Sequence, residues 1–223
     1  MNKYKILEDQ YIEACGKKLY RIQALKDFNG VKSGDIGGYI EKESNLSQSD
    51  NAWVYGDARV CDDALVHGNA LVSGDARVFG NARVYGDARV YGDAQVHGNA
   101  QVFGNARVCD DARVYGDAQV HGNAQVFGNA WVFGNAQVFG NAQVFGTRHY
   151  LNLGPIGSRD GYTTIYRDKN RKAMVICGCF SGNLDEFERA VHKAHAGTKY
   201  EAEYMVLIQL ARLREKEWLD EVD

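Results

Sequence analysis

The stretch Val84–Gln101 reads VYGDARVYGDAQVHGNAQ, and its six-residue beat decides the fold. Val returns at 84, 90 and 96, and Ala follows four places later at 88, 94 and 100. Working outward, Val recurs without a miss from Val54 to Val144 and Ala from Ala58 to Ala142, which makes fifteen full hexads over 54–143. Gly holds the third place except at Asp62 and Asp110, and Asn or Asp holds the fourth throughout. A period of six is neither helical nor that of an uninterrupted strand. A helix turns through about 600° in six residues and would scatter Val around its axis. A long strand would break at each Gly-Asn, since these residues accept left-handed backbone angles at low cost. Each hexad is therefore a short strand and a corner. Three hexads close a triangular coil of eighteen residues, the left-handed parallel β-helix, with Val and Ala inside. Coils about 4.8 Å apart give a prism roughly 24 Å tall over five full coils.

The 223 residues suffice for this prism and something more at each end. With 26 basic and 29 acidic residues the net charge is −3, so no strong field attracts a nucleic acid polymer or an anionic membrane. No apolar run reaches the ~18–20 residues that span a bilayer, and Met1-Asn2-Lys3-Tyr4 does not open a signal peptide. Five scattered cysteines, Cys15, Cys61, Cys109, Cys177 and Cys179, argue against a disulfide framework and for a cytoplasmic, reducing location.

The repeat resembles the hexapeptide-repeat superfamily, in a variant with Gly shifted to the third place, as in Val84-Tyr85-Gly86-Asp87-Ala88-Arg89. That variant is similar to bacterial and bacteriophage proteins loosely labelled hexapeptide-repeat transferases. The resemblance covers about 95 of the 223 residues and speaks to fold far more than to function. It implies parallel prisms in a homotrimer. It also implies a possible coenzyme A thioester substrate, with a histidine as general base. His67, His97 and His121 are the catalytic candidates if the chain is such an enzyme, with His149 beyond the regular repeats. Each of the first three occupies a repeat position that elsewhere holds Tyr or Phe, which suits stacking better than catalysis. No loop interrupts 54–146 to cover a substrate.

Residues eighteen apart lie one above another. The outward place after Val gives three columns: Tyr55, Ser73, Tyr91, Cys109, Phe127, Phe145; Cys61, Phe79, His97, Tyr115, Phe133; and His67, Tyr85, Phe103, His121, Phe139. They are ring stacks along the coils, a trimer interface, or a surface for ligand stacking. A fourth column, Asp57, Asp75, Asp93 and Asp111, is relieved by solvent and neighbouring arginines or by a cation.

Three divisions follow: an N-terminal β cap over 1–48, the β-helix over 49–146, and a C-terminal α+β domain over 147–223. In the cap, Tyr4–Leu7, Tyr11–Cys15 and Leu19–Leu25 read as strands. In the last division, 150–153, 162–166 and 173–177 read as strands, and 154–161 as a loop. A helix from Leu184 to about His195 opens with an Asn183/Glu186 capping box and stops at Gly197. A second helix spans about Tyr200–Glu217, with Tyr204, Leu207, Ile208, Ala211 and Leu213 toward the sheet. Gly157-Ser158-Arg159, with Thr163, Thr164 and Arg167, can hold a phosphate through backbone N–H groups and a guanidinium. Cys177, Cys179, His192 and His195 are the candidate metal ligands, a zinc set without a known finger spacing. Ser181-Gly182-Asn183 precedes a helix N-terminus and could favour an anion.

The leading expectation is a non-catalytic homotrimeric binding protein for a small phosphorylated or nucleotide-like ligand, needing no cofactor. The similarity to phage-borne proteins implies one specific form, a sponge for a host nucleotide immune signal in the host cytoplasm. The alternatives are a coenzyme A-dependent acyltransferase and a structural or protein-docking module.

Overall fold

The computed structural model describes residues 2–14 and 16–221; Cys15, and Met1 of the leader reading, lie outside them. The chain opens with β1 (Tyr4–Ala14), β2 (Lys17–Ala24) and β3 (Ile36–Ile40). Two-residue strands then follow every six residues, from β4 (Trp53–Val54), β5 (Arg59–Val60) and β6 (Leu65–Val66) to β19 (Gln143–Val144). Each up to β16 (Gln125–Val126) pairs in parallel with the strand eighteen residues on, as Arg89 with Arg107 and Val90 with Val108. The result is a β-solenoid with three sheet faces, begun by β4, β5 and β6.

The hexad explains this residue by residue. Every Val and Ala of the full repeats is buried, because the strand turns its Val and the corner its Ala into the prism. The third-place glycines of the full hexads take φ near +60 to +70°, and at Gly86 and Gly98 a side chain would collide with the next coil. A Cβ on Gly98 would stand 2.9 Å from the Gly116 nitrogen. Asp62 and Asp110 accept the same left-handed angle, at φ 59° and 58°. Their carboxylates then bind forward, accepting from the Gly80 and Gly128 N–H groups at 3.0 Å each. The fourth place forms amide ladders. Asn81 Nδ2 donates to Asn99 and Asn99 Nδ2 to Asp117, at 3.1 and 2.9 Å.

Backbone N–H groups point toward the following coil, as Arg89 N–H to Ala106 O at 2.9 Å and Tyr91 N–H to Val108 O at 3.0 Å. Both ends of such a stack need closing. At the start, β1 and β2 pair antiparallel, and β2 carries β3, which enters the solenoid beside β5. The expected first two strands are one, with a register shift between Leu7 and Tyr11. Lys3 is wholly buried there, its Nζ 2.7 Å from Ala52 O and 5.3 Å from the Phe28 ring. Burial lowers its pKa to about 8.

At the far end lie β20 (Tyr150–Ile156), β21 (Gly161–Arg167), β22 (Ala173–Cys177) and β23 (Phe180–Asn183), an antiparallel sheet in that order. The strand read at 150–153 thus runs further, and β23 adds a strand that the Gly-rich 178–183 stretch conceals. Helices α1 (Leu184–His195) and α2 (Lys199–Asp220) pack on this sheet. Asn183 and Glu186 form the expected capping box, and Gly197 takes φ +72°. One helix residue differs from its expected place. Leu213 is 64% exposed, while Trp218 is fully buried and donates from Nε1 to Arg148 O at 3.0 Å. The indole reaches the last coil one turn later than the periodicity suggests. No helix among the described residues is long and apolar enough to cross a membrane.

Candidate functional site

The hexad periodicity that builds the columns also fixes their rings. His67, Tyr85, Phe103, His121 and Phe139 stack face to face at 4.6–4.9 Å. Phe79, His97, Tyr115 and Phe133 do the same at 4.6–5.3 Å. Burial between rings lowers the pKa of His97 and His121, with Arg113 adding to the effect at His97. Neighbouring rings cover both faces of His97 and His121 and one face of His67, leaving the imidazole edge as the part that could meet a substrate.

The chemistry-bearing residues of the C-terminal segment gather instead around a cavity of about 540 Å³ between the last coil, the antiparallel sheet and both helices. That size suits a small organic ligand. Apolar walls come from Ile156, Tyr162, Ile176, Phe180, Phe187 and Val191. Polar groups converge from three places: Ser158 and Arg159 from the turn between β20 and β21, Asn135 and Gln137 from the solenoid, and Cys177, Cys179, His195 and Tyr204 from the sheet and helices. One chain supplies every one of these groups.

The turn is held rigidly. Gly157 takes φ +73° and its N–H donates to Glu203 Oε2 at 3.0 Å. A Cβ there would lie 1.9 Å from the Tyr204 hydroxyl, so glycine lets the loop close over that ring. The Thr163 hydroxyl donates to the Cys177 sulfur at 3.2 Å, whose S–H faces the Tyr204 oxygen at 3.6 Å. Burial first, and then the Cys177 contact, push the Tyr204 phenol well above its ordinary pKa. It stays a neutral donor or acceptor at physiological pH.

Of the six phosphate candidates, Ser158, Arg159 and Thr164 line the cavity and Gly157 shapes its rim. Thr163 is buried behind the wall on Cys177. Thr164 Oγ1 is already engaged, donating to Asn152 Oδ1 at 3.2 Å and accepting from the Gln137 N–H at 3.2 Å. Arg167 lies elsewhere, its guanidinium 4.7 Å from the Phe145 ring centre. Strand parity explains the split: alternate residues of β21 face opposite sides, and the strand runs away from the turn.

The zinc quartet is not assembled. Cys177, Cys179 and His195 border the cavity, but His192 is turned outward on Glu201, Nδ1 to Oε1 at 2.6 Å. Among the described residues no three His, Cys, Asp or Glu side chains approach closely enough to hold a metal, the Asp57, Asp75, Asp93 and Asp111 column included. Cys177 and Cys179 do not lie on one continuous strand, because Gly178, at φ +58°, turns the chain between β22 and β23. Ser181, Gly182 and Asn183 lie in β23, where the Asn183 side chain caps α1.

Sequence reasoning missed the aromatic wall and Tyr204. The signal was present as Phe187, Val191 and Ala194, spaced four and three apart on α1. It also missed the solenoid's contribution, because Asn135 and Gln137 look like any other repeat residues.

With this geometry in place, comparison with known proteins adds the following. The family model described as YdcK beta solenoid repeat matches residues 82–98 and 106–122. The repeat is thus of the solenoid kind found in hexapeptide-repeat transferase-like proteins. A 62-residue stretch is 42% identical to the Escherichia coli (strain K12) protein named "Uncharacterized acetyltransferase YdcK", covering 25% of this chain. The chain spans 19% of that relative's length.

Proposed function

We propose that the chain is a binding protein for a small anionic ligand of nucleotide-like chemistry, held in the cavity at the solenoid's C-terminal end. The observation that carries this reading is the meeting of Arg159 and Ser158 with an aromatic and aliphatic wall in one cavity. The guanidinium would take a phosphate in a two-pronged, charge-assisted contact, and Phe180 and Tyr162 would cover a base. Because one chain completes the cavity, the reading does not depend on pockets between subunits. A homotrimer of parallel prisms is part of the proposal only as a way to multiply such sites. Sequestering a host nucleotide signal would be one use of this pocket.

The test is calorimetric titration of the purified protein with adenosine and guanosine mono- and diphosphates and with cyclic dinucleotides. Saturable binding that weakens about tenfold in Arg159→Gln supports the reading. Binding unaffected by that change, or none with any probe, removes it.

A second reading, acyl transfer from coenzyme A, is favoured by the name of the Escherichia coli relative. If the reaction takes place in this cavity, its base is not His67, His97 or His121, since none borders it. His195 does. Coenzyme A release from acetyl-coenzyme A that requires an added amine or hydroxyl acceptor to take the acetyl group, and that is abolished in His195→Gln, would support this reading over simple binding.

A further inference from the structure

The column after Val on the β4 face differs from the other two. Its residues are Tyr55, Ser73, Tyr91, Cys109, Phe127 and Phe145, so rings are missing at two levels. At Cys109 the gap is closed, because the Tyr91 hydroxyl reaches the thiol and the cysteine is buried beneath it. Tyr55 leans the other way, against Trp53, with ring centroids 6.5 Å apart. Between them Ser73 leaves a missing rung. A cavity of about 430 Å³ opens there, lined by Tyr55, Leu71, Ser73, Arg89, Tyr91 and Arg107.

The dimensions suit one flat ring. Two coil spacings separate the levels of Tyr55 and Tyr91, about 9.6 Å. A ring in contact with a ring on each side needs roughly 7–8 Å. The charged residues lining the cavity are of one sign, Arg89 and Arg107. Arg89 and Arg107 are register partners in adjacent coils and both are exposed. Among the described residues neither has a carboxylate within salt-bridge distance. Their repulsion at one coil spacing is weak but unrelieved, and an anion between them would remove it. Stacked arginines alone are not the signal, for Arg59 and Arg77 pair in the same register without such a slot. Here two guanidinium groups border a gap with a tyrosine at each end.

We propose that this slot binds a planar aromatic anion, a carboxylate or phosphate ester. Its ring inserts at the Ser73 level and its charge is taken by Arg89 and Arg107. The site is separate from the C-terminal cavity, so either can fail without the other.

The probe is 2-naphthoate, with neutral 2-naphthol as its control, titrated by ligand-observed nuclear magnetic resonance and calorimetry. The expected result is saturable binding of naphthoate, at least about tenfold tighter than naphthol. The exposed double variant Arg89→Gln/Arg107→Gln should lose that preference and keep its fold. Ser73→Tyr should restore the rung and abolish binding, with a melting temperature no lower than the parent's. Arg159→Gln, at the other cavity, should leave naphthoate binding unchanged. The proposal is overturned by no saturable binding up to about 5 mM, by binding as tight in the double arginine variant, or by binding lost in Arg159→Gln instead. A change of oligomeric mass in Ser73→Tyr without any naphthoate binding would assign this face to a second copy of the chain, and would also overturn it.

Discussion

Tyr150 stands on Phe133: their ring centroids lie 5.9 Å apart at 77°, and the Tyr150 hydroxyl donates to the Phe133 carbonyl at 3.0 Å. The pattern repeats at the other two columns. Tyr166 meets Phe139 at 6.2 Å, and His149 meets Phe145 at 3.9 Å. Each aromatic column therefore ends on a ring from the C-terminal segment. The same segment offers acceptors to N–H groups of the last coil, Gln137 N–H to Thr164 Oγ1 among them. The C-terminal domain is a cap fitted to this solenoid, and its fit creates the cavity. Tyr150→Phe should cost about 1 kcal/mol through the lost hydrogen bond. Tyr150→Ala should cost about 3–5 kcal/mol through the lost buried ring. Urea unfolding measures both.

The third-place glycines are not equivalent. Gly98 and Gly140 share φ near +70°, but only Gly98 has the next coil's backbone within reach of a Cβ. Gly140→Ala should cost about 1–2 kcal/mol for the left-handed angle alone. Gly98→Ala must also push two coils apart and should cost clearly more, upward of about 3 kcal/mol. Equal losses in denaturant unfolding would contradict this account of the coil spacing.

Asp110 substitutes for a glycine by turning its side chain forward onto the Gly128 N–H. Asp110→Ala keeps the unfavourable angle and loses the bond, with an expected loss of about 1 kcal/mol. Asp110→Gly restores the repeat's own residue and should be nearly neutral. Thermal melts of the two variants side by side decide the point.

The stacked histidines make stability depend on pH. Burial lowers the pKa of His97 and His121, so the folded state disfavours their protonated forms. The stability they contribute is complete above the unfolded value of about 6.5. It declines as pH falls below that value and is lost through the lower folded pKa. His97→Phe/His121→Phe keeps both rings in the stacks and should flatten the melting-temperature profile between about pH 7 and 5. An unchanged profile would mean that other groups govern the acid side.

The solenoid was legible because its information is repeated. One hexad specifies strand, corner and core, and Val96 and Ala100 say the same thing as Val54 and Ala58. The capping helix α1 was legible for a local reason, the Asn183/Glu186 pair. The cavity was only half legible. Ser158 and Arg159 stand out in a Gly-rich turn, but their partners Gln137, Phe187 and Tyr204 come from three distant elements that only tertiary packing joins. Arg167 and Cys179 were grouped by proximity in sequence. Strand direction carries Arg167 away from the turn, and of the supposed metal set it is His192, held on Glu201, that stands apart from Cys179.

The central claim, a ligand cavity completed by one chain, is tested most directly by native mass spectrometry of protein purified gently from cells without added ligand. The account predicts a retained species of a few hundred daltons per chain, in whatever oligomer the prisms form. It should be absent from Arg159→Gln prepared in the same way. A bare protein mass from the parent, together with no change in melting temperature on adding nucleotides or coenzyme A, would contradict it.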